Sequence, residues 1–111
     1  MAGEVKKDMA GSLSEKIYQI VAEIPRGKVM TYSQVAQILN LRDVRIIGWA
    51  LHKNKNLSVP CYRVVKKDGS LAKGYAFGGR EAQKEKLLAD GIKFKSGKVF
   101  LPEYLWLGKK D

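Results

Sequence analysis

The 111-residue chain contains one cysteine and one histidine. A lone cysteine closes no intramolecular disulfide, which fits a reducing compartment. With His52 as its only companion, Cys61 cannot furnish a structural zinc site of the Cys/His type, so no metal is expected. The opening MAGEVKKDMAG has no apolar h-region and does not read as a signal peptide. No apolar run approaches the length of a membrane span. The expectation is a soluble, cytoplasmic or otherwise intracellular protein with no membrane partner. Repeats and low-complexity tracts are also missing, and 111 residues are too few for two separate cores. Residues 1–11 read as a frayed N-terminus and residues 12–111 as a single domain.

Acidic residues are scarce as well: eleven Asp and Glu stand against twenty-one Lys and Arg, a formal charge of +10. Such a field attracts polyanions and speeds their encounter. Nucleic acid is the first candidate partner and an anionic membrane the second, with plain solubility as the bland alternative.

Apolar periodicity predicts four helices. Leu13, Ile17, Ile20, Val21 and Ile24 recur at helical spacing, with Ser12 or Ser14 as cap and Pro25-Arg26-Gly27 as the stop. A second helix carries Val35, Ala36, Ile38 and Leu39, capped by Ser33 and ending near Asn40. A third, capped by Asp43, carries Ile46, Ile47, Trp49, Ala50 and Leu51. Two short helices joined by a tight turn make a helix-turn-helix candidate, and Arg42, Arg45, His52 and Lys53 suit an element facing phosphates. Residues 57–65 read as extended around Pro60, and Asp68-Gly69 as a hairpin turn. The fourth helix runs from about Arg80 to Ala89 and stops at Gly91. Segments 92–94 and 98–100 flank Ser96-Gly97 like a small hairpin, and Tyr104 to Leu107 cover the core. Trp49 and Trp106 are assigned to the core, and His52 to the surface. The fold class is mostly α with a small β element, of winged-helix-like, helix-turn-helix type.

Read alone, Cys61 is a buried small hydrophobe or a nucleophile. Pro60 fixes the backbone before it, and Arg63, Lys66 and Lys67 supply a positive field that favours thiolate.

Val59-Pro60-Cys61-Tyr62-Arg63-Val64-Val65 resembles the Pro-Cys-His-Arg-Val motif of the O6-alkylguanine-DNA alkyltransferases. Other segments follow in that family's order. Residues 25–32 are similar to its lead-in to the DNA-binding helices, and Arg45-Ile46-Ile47-Gly48 to the start of its recognition helix. Asn54 matches its hinge asparagine, residues 74–79 its substrate loop, and residues 87–91 its Leu-x-x-Glu-Gly stretch. The likeness covers about residues 12–94. It implies a repair protein that binds duplex DNA and flips O6-alkylguanine out of the stack. The alkyl group then passes irreversibly to Cys61, without a cofactor. By this resemblance the reacting set is Cys61, Tyr62, Asn54 and Asp90. The DNA contacts are Tyr32, Arg45 (filling the vacated stack), Gly48 and Arg63. The base pocket is formed by Tyr32, Val59, Pro60, Tyr75, Ala76 and Phe77. The expected partner is double-stranded DNA carrying alkylated guanine, bound by a monomer.

Two positions depart from the pattern. The histidine after the cysteine is Tyr62, and the supporting glutamate aligns with Asp90. A phenol with a pKa of about 10 is no base at neutral pH, and loss of a general base costs ~10²–10⁴ in rate. Alkyltransferase-like proteins replace the cysteine and keep the histidine, binding lesions and handing them to excision repair. This chain resembles them in length yet keeps the cysteine. Alkyl transfer to Cys61 is therefore the leading expectation and a non-catalytic lesion sensor the alternative. A third reading is a basic DNA-binding regulator with an incidental cysteine.

Overall fold

Thr31 starts the helix pair that organises the fold. Its hydroxyl accepts from Gln34 N at 3.1 Å, while Gln34 Oε1 accepts from Thr31 N at 2.8 Å. This reciprocal box satisfies two otherwise orphaned amides. Ser33, the predicted cap, sits instead in the first turn of the helix. The computed structural model describes residues 13–108. The expected fraying of residues 1–11 and the Ser12 cap lie outside these.

Helix α1 spans residues 13–22. Strand β1 (Met30–Thr31) leads into α2 (Tyr32–Ile38). Asn40, with φ of 62°, ends α2 in a left-handed turn closed by Leu41 N to Ala36 O at 2.8 Å and Asn40 N to Gln37 O at 3.0 Å. Helix α3 (Arg45–Lys53) follows; Val44, not the predicted Asp43, holds the cap position and offers no side-chain bond, while Asp43 Oδ1, one residue earlier, accepts from Arg45 N at 3.0 Å.

Beyond α3 the chain departs from the extended reading. Cys61–Arg63 form one turn of 3-10 helix, closed by Arg63 N to Pro60 O at 2.9 Å. Only β2 (Val64–Val65) is extended, and it pairs parallel to β1, Met30 with Val64 and Thr31 with Val65. The Asp68-Gly69 turn exists, closed by Gly69 N to Lys66 O at 2.8 Å, but no strand returns along β2 to make a hairpin. Gly69 packs on the C-terminal hairpin instead, its carbonyl accepting from Val99 N at 2.9 Å. A Cβ there, at φ of +89°, would lie 2.3 Å from Val99 O.

Helix α4 (Gly79–Ala89) ends as predicted. Gly91 at φ of 91° permits Ile92 N to Leu87 O at 3.1 Å and Gly91 N to Leu88 O at 2.9 Å. The predicted hairpin is β3 (Phe94–Lys95) against antiparallel β4 (Lys98–Val99), with positive φ at Ser96 and Gly97. A short α5 (Leu101–Tyr104) was not legible in the sequence. After it, Trp106 N donates to Val29 O at 2.7 Å. Tyr104 is buried and Trp106 packs on the core, whereas Leu107 is exposed rather than covering anything.

The paired strands divide two apolar clusters. Met30 and Val64 join Ile17, Val21, Val35, Ile47, Leu51 and Cys61. Val29 and Val65, one residue along each chain, join Leu87, Ile92, Val99 and Tyr104. That alternation is the two-residue period of extended chain. The fold is thus mostly helical with small sheets, and α2 and α3 form the predicted helix-turn-helix pair.

Candidate functional site

Helix α3 buries Ile47, Ala50 and Leu51 and turns Arg45, Trp49 and His52 to the other side. That second face borders a cavity of about 580 Å³. Tyr32 and Ser33 wall it from the start of α2, Gly74, Tyr75 and Ala76 from the glycine-rich loop, and Cys61 and Gln83 from behind. Trp49, predicted to be core, is 60% exposed and lines this cavity. Its i+4 spacing from Arg45 carries it off the buried face.

Cys61 is 5% exposed. Its Sγ accepts a hydrogen bond from Asn54 Nδ2 at 3.2 Å. Asn54 is itself held in a tight Asx turn, Asn56 N donating to its Oδ1 at 3.1 Å. Burial pushes the thiol pKa up, against the pull of Asn54, the backbone amide and Lys86. The field expected from Arg63 and the Lys66-Lys67 pair is therefore not what acts on the sulfur; desolvation wins, and the opposing cation is Lys86. Lys86 is anchored by a 2.6 Å bond from Nζ to Tyr75 Oη and lies over the rings of Tyr75 and Phe77 at 5.1 and 5.5 Å.

Tyr62 follows the sulfur in sequence but its hydroxyl donates to Asp90 Oδ1 at 3.2 Å, and its ring packs in the second cluster. Burial pushes its pKa up too, so the phenol stays protonated. Asp90 takes Arg63 Nε on Oδ2 at 2.8 Å, with Arg26 Nε 3.6 Å from Oδ1. Arg63 Nη1 also donates to Ile24 O at 2.9 Å. Its side chain is only 15% exposed, so the residue expected to face DNA is a strut tying α1, the 3-10 turn and α4 together. Asp90 belongs to that strut.

Of the expected DNA contacts, Tyr32, Arg45 and Gly48 do border the cavity. Burial, helped by Cys61, pushes the Tyr32 phenol up to about 12, leaving a hydroxyl donor. Arg45 is 74% exposed and forks onto Asp43 through Nε and Nη2, both at 3.0 Å. A Cβ on Gly48 would meet nothing within 4 Å, so nothing inside the protein demands a glycine there.

Of the expected pocket residues, Tyr32, Tyr75 and Ala76 line the cavity while Val59, Pro60 and Phe77 do not. Val59 packs on the core and opens onto a separate depression beside Lys53 and Lys55. Pro60 caps the 3-10 turn, and Phe77 stacks edge-on against Tyr75 at 5.8 Å. His52 is exposed as expected, yet its Nδ1 donates to Gly74 O at 2.7 Å and latches the glycine-rich loop to α3.

Residues 12–92 match the 6-O-methylguanine DNA methyltransferase family, DNA binding domain. The chain belongs to that family. It is 34% identical over 98 residues to alkyltransferase-like protein 1 of Schizosaccharomyces pombe, covering 82% of this chain and 91% of that one. It is 33% identical over 88 residues to the methylated-DNA–protein-cysteine methyltransferase of Methanocaldococcus jannaschii, covering 78% of this chain but about half (52%) of the relative. The crystal structure of S. pombe Atl1 in complex with damaged DNA containing O6-carboxymethylguanine superposes with a TM-score of 0.77 at 31% identity, over 88% of this chain and 97% of that one.

Motif reasoning missed four residues at this cavity: Trp49, His52 and Gln83, which line it, and Lys86, which holds Tyr75 on its wall. Helical phase about Arg45 reveals the first two. Gln83 and Lys86 lie on a helix whose polar residues look uniformly solvated in the sequence, and only packing against the 3-10 turn and the aromatic loop singles them out.

Proposed function

We propose that the protein recognises O6-alkylguanine in duplex DNA by drawing the base into the cavity, and that Cys61 accepts the alkyl group there. The observation that carries this reading is the opening of the exposed Arg45–Gly48–Trp49 face of α3 onto a space that Cys61 also lines. Its volume lies within the ~300–1,000 Å³ typical of small-ligand sites. At Gly48, inside α3, a glycine costs ~1 kcal/mol relative to alanine with no internal return. A phosphate backbone approaching α3 supplies the reason. Arg45 exchanges its surface pair with Asp43 for the stack vacated by the flipped nucleotide. The +10 charge offsets the phosphates.

In the transfer step the Cys61 thiolate attacks the alkyl carbon. The S–C bond forms as the C–O6 bond breaks, and the purine leaves as the guanine anion, which takes a proton at N1. With Tyr62 turned to Asp90, ionisation of the thiol rests on Asn54 and Lys86, and transfer is slow near neutral pH. Each molecule reacts once.

A lesion sensor that recruits excision repair is the second reading, favoured by the raised thiol and by similarity to an alkyltransferase-like protein along nearly its whole length. Both readings require preference for damaged duplex. Equilibrium titration of otherwise identical duplexes with guanine or O6-methylguanine tests it. Tighter binding of the lesion supports the proposal, and equal binding reduces the protein to a basic DNA-binding domain.

A further inference from the structure

Gln83 is 1% exposed and lines the same cavity as Cys61. Its Nε2 donates to the carbonyl oxygens of Tyr62 and Val64, each at 3.0 Å. These two bonds fix the amide, because turning it over would set its oxygen against two carbonyls. Its Oε1 is left without a hydrogen-bond partner, the one such buried side-chain atom among the described residues. Native proteins leave few buried acceptors unpaired, since each one costs the full desolvation of its group. An orphaned acceptor on a residue that lines a ligand cavity points to a donor that arrives with the ligand.

The donors of an O6-alkylated guanine are few. Alkylation at O6 removes the N1 proton, so N1, N3 and N7 all accept. The exocyclic 2-amino group alone donates. We propose that Gln83 Oε1 accepts a hydrogen bond from that 2-amino group, making Gln83 a specificity-determining residue that separates guanine lesions from O6-alkyl purines lacking the amine. This inference rests on the base-flipping reading. It adds to that reading the edge of the base that the protein examines.

The test uses the full chain carrying Cys61→Ser, so that binding is read without transfer. Duplexes carry O6-methylguanine or O6-methylhypoxanthine, the same base without its 2-amino group, opposite an abasic site so that pairing strength does not differ. Loss of one well-made hydrogen bond in a closed site corresponds to about tenfold in affinity. The protein with Gln83 is expected to prefer O6-methylguanine by about that factor, and Gln83→Met to lose it while O6-methylhypoxanthine binding stays within about twofold. An equal loss on both duplexes, or no loss on either, overturns the inference. Should Gln83→Met fail to fold, equal affinity of the Gln83 protein for the two bases overturns it equally well. If neither lesion is bound more tightly than fully paired undamaged duplex, it is the base-flipping reading that falls. Lesion selectivity without dependence on the 2-amino group overturns the Gln83 assignment alone.

Discussion

Replacing Asp90 by alanine should cost more stability than any other single polar substitution at this site. Its carboxylate side chain is 8% exposed and carries Arg63 at 2.8 Å and the Tyr62 hydroxyl at 3.2 Å. Removing it leaves a guanidinium that is 15% exposed, with the Ile24 carbonyl as its remaining acceptor and the centre of the Tyr62 ring 5.1 Å away. Breaking a buried pair by deleting one member costs ~3–5 kcal/mol, because the remaining charge stays buried. Arg63 keeps one bond and Tyr62 is partly open to solvent, which places the loss near the lower end, ~3 kcal/mol. Small domains shift by ~4–8 °C per kcal/mol, so the midpoint should fall by ~12–24 °C. Urea unfolding followed by circular dichroism gives the free energy directly, with m unchanged if the native state keeps its compactness. Replacing both members, Arg63→Met with Asp90→Leu, should recover most of the loss. A loss for Asp90→Ala below ~1 kcal/mol, the worth of an exposed pair, would refute the assignment of Arg63 and Asp90 to an interior strut.

Four further outcomes follow from the sulfur's surroundings and the exposed helix face. Burial raises the Cys61 pKa above that of an ordinary thiol, about 8.5, so the transfer rate should climb about tenfold per pH unit from pH 7 to 8.5 without a plateau; a plateau below pH 7.5 contradicts this. Asn54→Ala removes the donor to the sulfur and should slow transfer at pH 7.5 by about tenfold or more, a bond to a charged group being worth ~1.5–3 kcal/mol. Tyr62→Phe, whose lost bond goes to Asp90 and not to the sulfur, should leave the rate within about twofold; a larger fall would restore Tyr62 to the reacting set. Arg45→Ala should weaken lesion binding while leaving the unfolding midpoint essentially unchanged, as expected for an exposed pair.

Residues that signal locally were legible without coordinates. Periodicity placed the helices, Gly91 the end of α4, and Ser96-Gly97 the C-terminal hairpin. Asn54 and Cys61, seven residues apart, do meet. What failed was what depends on long-range packing. Cys61–Arg63 look extended because Val64 and Val65 are β-branched, yet the Pro60 carbonyl draws them into a 3-10 turn. Arg63 reads as a DNA contact in a basic chain, but its partner Asp90 lies 27 residues away. Trp49 was assigned inward by residue type, against the helical phase that turns it outward.

The most direct test of the central claim is intact mass after incubation with duplex DNA containing O6-methylguanine, beside undamaged duplex and the Cys61→Ser protein. The account predicts a gain of one CH₂ on the Cys61 protein with damaged duplex alone, slow at neutral pH and faster as pH rises. No gain at any pH, despite selective lesion binding, would contradict transfer and leave a sensor whose cavity holds the base without chemistry.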